Sequence, residues 1–287
     1  MTTLPLVTDK KLPAFASRLA DASRQIISNA IPQSFRGESK SDGSPVTSVD
    51  QVVEDRIRAM IAQEYPEHGI VGEEHGALSP DAEYVWIIDP IDGTLPFVAG
   101  IPVFGTLIAL THERIPIIGV IDMPATGERW IGRQGSPTTR NGKPVRVRSC
   151  AQLDSALLST SNPDLYANDE IAIFERLKAK TQWCIYGGSC LAYAQIASGR
   201  IDVGIDAGLE PFDYAALVPV ILGAGGVITD WKGESLNLLS GGQILAAGDP
   251  RVHAEALSVL NERFPQKAEQ LSASNDNPQT PGVQTYE

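Results

Sequence analysis

The chain has 287 residues, 43% of them hydrophobic and 20% charged, and a net charge of -12. That is a globular composition, long enough to bury a sizeable core as one large domain or two intimately packed ones. The acidic balance opposes nonspecific binding to nucleic acid or to an anionic membrane, since either polyanion presents a field of the same sign.

Cys150, Cys184 and Cys190 are widely spaced and contain no Cys-x-x-Cys pair, which points to neither a disulfide framework nor a zinc site and fits a reducing cytoplasm. The first residues show no basic region followed by an apolar core, and no apolar run reaches membrane-spanning length. A soluble, unprocessed chain is expected.

In chain order, Leu12, Phe15, Ala16, Leu19, Ala22, Ile26 and Ile27 share one face of a helix predicted over residues 9–30. Residues 31–48 turn polar, with a loop over 40–47. Ser48-Val49-Asp50-Gln51 then resembles a capping box that opens a helix burying Val53, Ile57, Met60 and Ile61. Asp50 falls in the first turn of that helix, where an acid meets the helix dipole favourably.

Residues 84–88 read as a buried strand that stops at Asp89, turns at Pro90 and Gly93, and presents Asp89, Asp92 and Thr94 together. Residues 104–110, 115–121 and 128–131 predict an antiparallel meander. A hairpin signal at 139–143 leads into a strand over 145–148 whose alternation sets Arg146 and Arg148 on one solvated face.

Beyond residue 156 strands (156–160, 183–186, 201–205) alternate with helices (169–180, 189–198), as in an α/β layer. Pro211 suits the first position of a helix, with Asp213 in its first turn beside unsatisfied amides, and Pro219 should bend or interrupt it. Strands at 227–229 and 243–246 and a helix at 250–260 follow. The polar composition from residue 266 predicts disorder. The expected division is therefore an N-terminal half over 1–148, a C-terminal half over 149–265 and a tail over 266–287. His68, His75, His112 and His253 lack metal-like spacing and read as surface or loop residues. No Gly-Lys-Ser/Thr follows the Gly-Gly runs, which argues against a nucleotide phosphate loop.

Two carboxylates at the end of a buried strand raise each other's pKa unless a cation neutralises them, and a hard, oxygen-seeking ion such as Mg²⁺ is the simplest occupant. Glu73-Glu74 follows another apolar run, residues 69–72, and Asp213 opens a helix. Three acidic termini at the ends of hydrophobic elements are the means by which a chain gathers carboxylates around metal. A phosphate approaching so acidic a chain would need those cations to reverse the local sign.

Gly72-Glu73-Glu74, then Asp89-Pro90-Ile91-Asp92-Gly93-Thr94, then Phe212-Asp213-Tyr214-Ala215-Ala216 resembles the signature of the inositol monophosphatase superfamily of Mg²⁺-dependent, lithium-sensitive phosphomonoesterases. The resemblance implies an α+β fold, the layered α/β/α/β/α sandwich of the inositol monophosphatase and fructose-1,6-bisphosphatase type, in a cytoplasmic homodimer acting on a small phosphorylated alcohol. It implies Glu73, Asp89, Asp92 and Asp213 as carboxylate ligands, with the Ile91 carbonyl also facing a metal. The amides of Gly93 and Thr94 would hold the phosphate, with Asp213 beside it. Glu74, and an Asp50-Thr94 pair, would position or deprotonate the attacking water.

Within the superfamily, residues 105–110, Asp122-Met123-Pro124, Phe212 and residues 246–250 resemble the histidinol-phosphatase branch, which implies histidinol phosphate as substrate. Leu95-Pro96, Ser189 and Glu210 depart from that branch and keep open inositol 1-phosphate or another sugar or polyol phosphate. Asp206 is the expected contact to the substrate's hydroxyl or amino group, with Glu210 the second acid available on that side. A regulatory binding protein that retains the fold is the non-enzymatic alternative; the complete acid set argues against it.

Overall fold

The structure is a computed structural model and describes residues 11–31, 37–40 and 45–262. The tail expected over 266–287, the predicted helix start at Asp9 and residues 41–44 of the expected loop lie outside the described residues.

Helix α1 (Lys11–Ala30) buries Leu12, Phe15, Ala16, Leu19 and Ile27, the face that the spacing predicts. A two-strand ladder, β1 (Glu38–Ser39) with β2 (Pro45–Val46), leads to α2 (Ser48–Glu64). The cap of α2 is Thr47 rather than Ser48. Its hydroxyl accepts the Val49 N–H at 3.2 Å, and Asp50 at the third helical position accepts the Thr47 N–H at 2.9 Å. The capping box is thus real and shifted by one residue, because Thr47 holds the extended backbone that a cap requires.

Next come β3 (Gly69–Gly72), β4 (Gly76–Leu78), β5 (Tyr84–Asp92), the short α3 (Thr94–Ala99), β6 (Gly105–His112), β7 (Ile115–Met123), β8 (Glu128–Arg133), β9 (Ser136–Arg140) and β10 (Lys143–Pro144). They form an eight-stranded sheet in the order β10-β9-β8-β7-β6-β5-β3-β4. The meander from β5 to β8 is antiparallel as predicted, while β3 runs parallel to β5.

The strand predicted over 145–148 does not form. The Val147 N–H donates to the Ala224 carbonyl at 3.2 Å, and Arg148, still exposed, pairs with the buried Asp202, Nε to Oδ1 at 2.6 Å. Partners from the second half of the chain therefore take the segment away from the ladder.

That half contributes β11 (Leu157–Thr160), α4 (Asn168–Lys178), β12 (Trp183–Tyr186), α5 (Ser189–Ala197), β13 (Val203–Asp206), α6 (Pro211–Tyr214), α7 (Leu217–Gly223), β14 (Val227–Asp230), β15 (Ile244–Ala247) and α8 (Pro250–Leu260). Its mixed sheet has the order β12-β11-β13-β15-β14. Pro219 accounts for the break between α6 and α7, since it has no N–H to give the carbonyl one turn back, at Ala215.

Alternation along β5 assigns the layers. Trp86 and Ile88 pack with Phe15, Leu19, Val53 and Ile57 of α1 and α2, while Val85 and Ile87 face Tyr193, Tyr214 and Val220 of α5, α6 and α7. A strand buried on both faces is apolar at consecutive positions, which is why residues 84–88 show no polar alternation. On the outer face of the second sheet, Leu158, Val203 and Leu245 meet Phe174 of α4 and Val252 and Ala256 of α8. The result is the expected α/β/α/β/α sandwich. His253 belongs to this last layer: it is buried and hydrogen-bonded to the Thr229 hydroxyl at 3.0 Å, not a surface residue, because it shares the inward face of α8 with Ala256 and Leu260.

Asp249 caps α8 and ties it to the chain ahead of β11. Its carboxylate accepts the Arg251 N–H at 3.0 Å and the Cys150 N–H at 3.1 Å, and pairs with the Arg251 guanidinium at 2.6 Å. These donors, Arg251 foremost, hold its pKa well below the usual carboxylate range. Asp249→Ala is expected to cost about 1–2 kcal/mol in chemical denaturation at pH 7. Because the folded-state pKa is depressed, the loss persists through neutral pH and shrinks below about pH 4, where the unfolded carboxyl takes up its proton. A gap that widens in acid contradicts the assignment.

Candidate active site

The site is organised by an irregularity in β5. Asp89 lies opposite Leu107 on β6, but Asp92 lies opposite Gly105, so the register shifts between the two acids. Pro90 has no N–H for the ladder, and its carbonyl accepts the Thr106 hydroxyl at 2.8 Å instead. Strict alternation would send Asp89 and Asp92 to opposite faces. The bulge turns Ile91 into the α1/α2 core and returns Asp92 to the side of Asp89, toward α5 and α6. Gly93 then takes φ 82, and a Cβ there would stand 3.1 Å from the Ser189 hydroxyl and 3.2 Å from the Val103 carbonyl, so both conformation and space require glycine. Thr94 follows as the first residue of α3, where early amides have no intrahelical acceptor.

Two helix starts close on this corner. Pro211 at the first position of α6 sets Asp213 in the first turn, where its Oδ2 accepts the Glu210 N–H at 2.7 Å. At the start of α5, Ser189 has a left-handed φ of 45, and the Cys190 N–H donates to Asp92 Oδ2 at 2.6 Å. Asp89, Asp92 and Asp213 each offer an oxygen within 4.8 Å of the others.

Burial pushes all three carboxyls up, those of Asp89 and Asp213 furthest. For Asp89 the charges of Glu73, Asp92, Asp213 and Asp50 add to the burial effect. Asp89 Oδ1 and Asp50 Oδ1 are buried without a hydrogen-bond partner. Crowded, desolvated carboxylates with an orphaned oxygen are the donor set that a hard divalent cation fits.

Beside the triad, the turn after β3 carries Glu73 and Glu74. Both accept from Lys40, whose Nζ lies 2.8 Å from Glu73 Oε1 and 2.7 Å from Glu74 Oε1. Glu73 is thus next to the triad, with its charge acting on Asp89, but outside the 4.8 Å group. Burial pushes both glutamates up and Lys40 opposes it.

Two expected contacts are placed differently. Asp50 does not hold Thr94. Its Oδ2 takes the Thr47 hydroxyl at 2.5 Å and the Thr47 N–H, whereas the Thr94 hydroxyl donates to the Ile91 carbonyl at 3.1 Å. Local caps win both side chains. Asp206 is buried, and its oxygens accept four bonds: Thr160 hydroxyl (3.1 Å), Ser161 N–H (2.7 Å), Ser161 hydroxyl (3.0 Å) and Tyr193 hydroxyl (2.7 Å). A carboxylate has about four lone-pair sites, so Asp206 ties β11, β13 and α5 together and is not a free substrate contact. Burial pushes its pKa up to about 6 despite those donors. Glu210 is exposed at the start of α6, its backbone bonded to Asp213.

Sequence reasoning missed Lys40 and the Cys190 amide. The signal for the second was faint, a glycine pair followed by a helix start.

The sequence model of the Inositol monophosphatase family matches residues 9–270. The chain belongs to that family. Like it, the chain is a metal-dependent phosphoric monoester hydrolase, and the Asp89, Asp92 and Asp213 cluster fits its divalent-metal site. It is 43% identical to Bifunctional phosphatase IMPL2, chloroplastic, of Arabidopsis thaliana, over 88% of this chain and 77% of the relative. It is 35% identical to Histidinol-phosphatase of Mycobacterium tuberculosis, over 79% and 88% respectively. Among solved structures, an inositol monophosphatase from Zymomonas mobilis superposes with a TM-score of 0.81 at 40% identity, covering 88% of this chain and 98% of that one. The superposition places the layered sandwich in the same structural family. No described helix is long and apolar enough to cross a membrane.

Asp92→Asn removes one charge from the cluster while keeping a carbonyl oxygen for the Cys190 N–H. The raised folded-state pKa makes the ionised carboxyl a destabilising group, fully so above that pKa and not at all below about pH 4. In chelator the variant should therefore melt above wild type at pH 7.5, by about 2–4 °C for each kcal/mol relieved, and the difference should shrink toward pH 5. Saturating Mg²⁺ should reverse the order. Thermal melts that keep one order with and without Mg²⁺ contradict the cluster's role.

Proposed function

We propose that this chain hydrolyses a small phosphorylated alcohol at a Mg²⁺ site held by Asp89, Asp92 and Asp213 with Glu73, and that a sugar or polyol phosphate of the inositol monophosphate kind is its substrate. The observation that carries the metal assignment is the convergence of three raised carboxyls within 4.8 Å. The site forms where the 1–148 half, bearing residues 73–94, meets the 149–265 half, bearing Asp213.

When bound, the divalent ion neutralises charge on the phosphoryl oxygens and lowers the proton affinity of the attacking water. The chain's own groups do the rest. The amides of Gly93 and Thr94, at the start of α3, hold phosphoryl oxygens. Glu74 takes a proton from the water as it attacks phosphorus; the ester P–O bond breaks, and the departing alkoxide is protonated from solvent. Asp50, engaged with Thr47, acts on this centre through its charge and its free Oδ1. No covalent phosphoenzyme is required.

The polyol reading rests on Asp206. An ammonium-bearing substrate such as histidinol phosphate would need an acceptor away from the metals, and the acid expected to supply it is consumed within the fold. The likeness to the Zymomonas mobilis inositol monophosphatase supports the same reading. Histidinol phosphate is the second reading. Relatives named Histidinol-phosphatase at 34% and 35% identity favour it, and so does exposed Glu210.

Phosphate release from purified protein on a panel of inositol 1-phosphate, histidinol phosphate and a generic ester tests the choice. The proposal predicts Mg²⁺-dependent, lithium-inhibited turnover with the highest kcat/KM on inositol 1-phosphate. A clear preference for histidinol phosphate overturns the substrate, and no Mg²⁺-dependent release on any ester overturns the reading itself. Asp206→Asn should lower kcat/KM on all three by the same factor. A selective loss of about tenfold on histidinol phosphate, equivalent to about 1.4 kcal/mol, would restore Asp206 as a substrate contact.

A further inference from the structure

Behind the Glu73-Glu74 turn lies a buried acid that the chemistry above does not use. Glu54, on α2, is fully buried. Its Oε2 accepts the Glu74 N–H at 2.8 Å and its Oε1 the His75 N–H at 3.1 Å. Arg58, one turn along the same helix, donates Nε to Oε1 at 2.7 Å, and its other end donates to the Gly76 carbonyl. Gly72 leaves the room: a Cβ there would lie 2.1 Å from Glu54 Oε1.

We propose that Glu54, clamped by Arg58, is a positioning residue for the hydrolysis, fixing the turn so that Glu73 and Glu74 face the metal site. This rests on the reading that those two glutamates serve the metal and the water. Gly72 pairs with Gly76 across β3 and β4, so the acids sit on a three-residue connection, too short to have a core of its own. Successive N–H groups converging on an anion form a nest, and here the anion is a side chain anchored to α2. Drawing the Glu74 and His75 amides toward α2 fixes the backbone from which both acid side chains project. The two side chains meet at Lys40 and not at α2. Arg58 balances the buried charge, which without a partner would be costly, and closes the clamp on the far strand at Gly76.

The clamp separates geometry from charge. Glu54→Gln removes a negative charge, and Arg58→Gln removes a positive one. If the pair acted on Mg²⁺ only through the field, the two variants would shift affinity in opposite directions. Positioning predicts the same direction for both.

Calorimetric titration of the metal-stripped full chain with Mg²⁺ should show both variants weakened by about tenfold, the range for groups that orient metal ligands. Hydrogen–deuterium exchange at the Glu74 and His75 amides should be faster in both. At saturating Mg²⁺, the KM for a phosphate ester should stay near the wild-type value. Arg58→Gln lies nearer the surface and carries the test should Glu54→Gln fail to fold.

Wild-type Mg²⁺ affinity and amide protection in the variants overturn the proposal, as does a tightening in Arg58→Gln. Wild-type protein that takes up no Mg²⁺ overturns the metal reading and the clamp's role with it. Wild type that binds while the variants match it overturns the clamp alone.

Discussion

Everything in this molecule answers to the repulsion among carboxylates held where water cannot screen them. Asp89, Asp92 and Asp213 come within 4.8 Å of one another, Glu73 and Asp50 add their charges, and burial pushes the cluster's carboxyls upward. Such a group destabilises the fold at neutral pH unless protons or a cation neutralise it. A chain with a net charge of -12 has no general reserve of positive potential to spend there. The destabilisation is confined to one corner and supported by a large core on either side.

The supports differ in kind. A proline-centred bulge returns Asp92 to the side of Asp89, a proline-initiated helix aims Asp213, and the first amide of α5 after left-handed Ser189 fixes an oxygen of Asp92. Each support sits at the end of a regular element, where the backbone has unpaired donors or a forced change of direction. The layered sandwich brings these ends together, since α5 and α6 lie between the two sheets and start at the edge where β5 finishes.

Much of this was legible because it is local. The unbroken apolar run of β5, Pro90 in the acid string and Pro211 ahead of Asp213 each act within a few residues, and they fixed the strand, the turn and the helix start. What was not legible depends on competition between distant partners. Asp50 faced a choice between Thr94 and Thr47, and the helix cap took it. Asp206 looked free because Ser161 and Tyr193, which occupy it, arrive from the end of β11 and from α5. Arg148 is exposed as read, but its pair with Asp202 was hidden because that acid lies on a later segment, and His253 read as a surface residue because one histidine in a short helix leaves no trace of its inward face. The contact of Lys40 with both glutamates was hidden for the same reason, since nothing near it in the chain announces a partner.

The central claim is that Asp89, Asp92 and Asp213 together hold a divalent ion. Crystals of the protein soaked in Mn²⁺, an ion of similar oxygen preference, and measured for anomalous scattering locate such an ion directly. The account predicts a peak bounded by oxygens of all three aspartates and absent from Asp213→Asn crystals treated alike. No peak at the cluster, or one that persists undiminished in that variant, would contradict it.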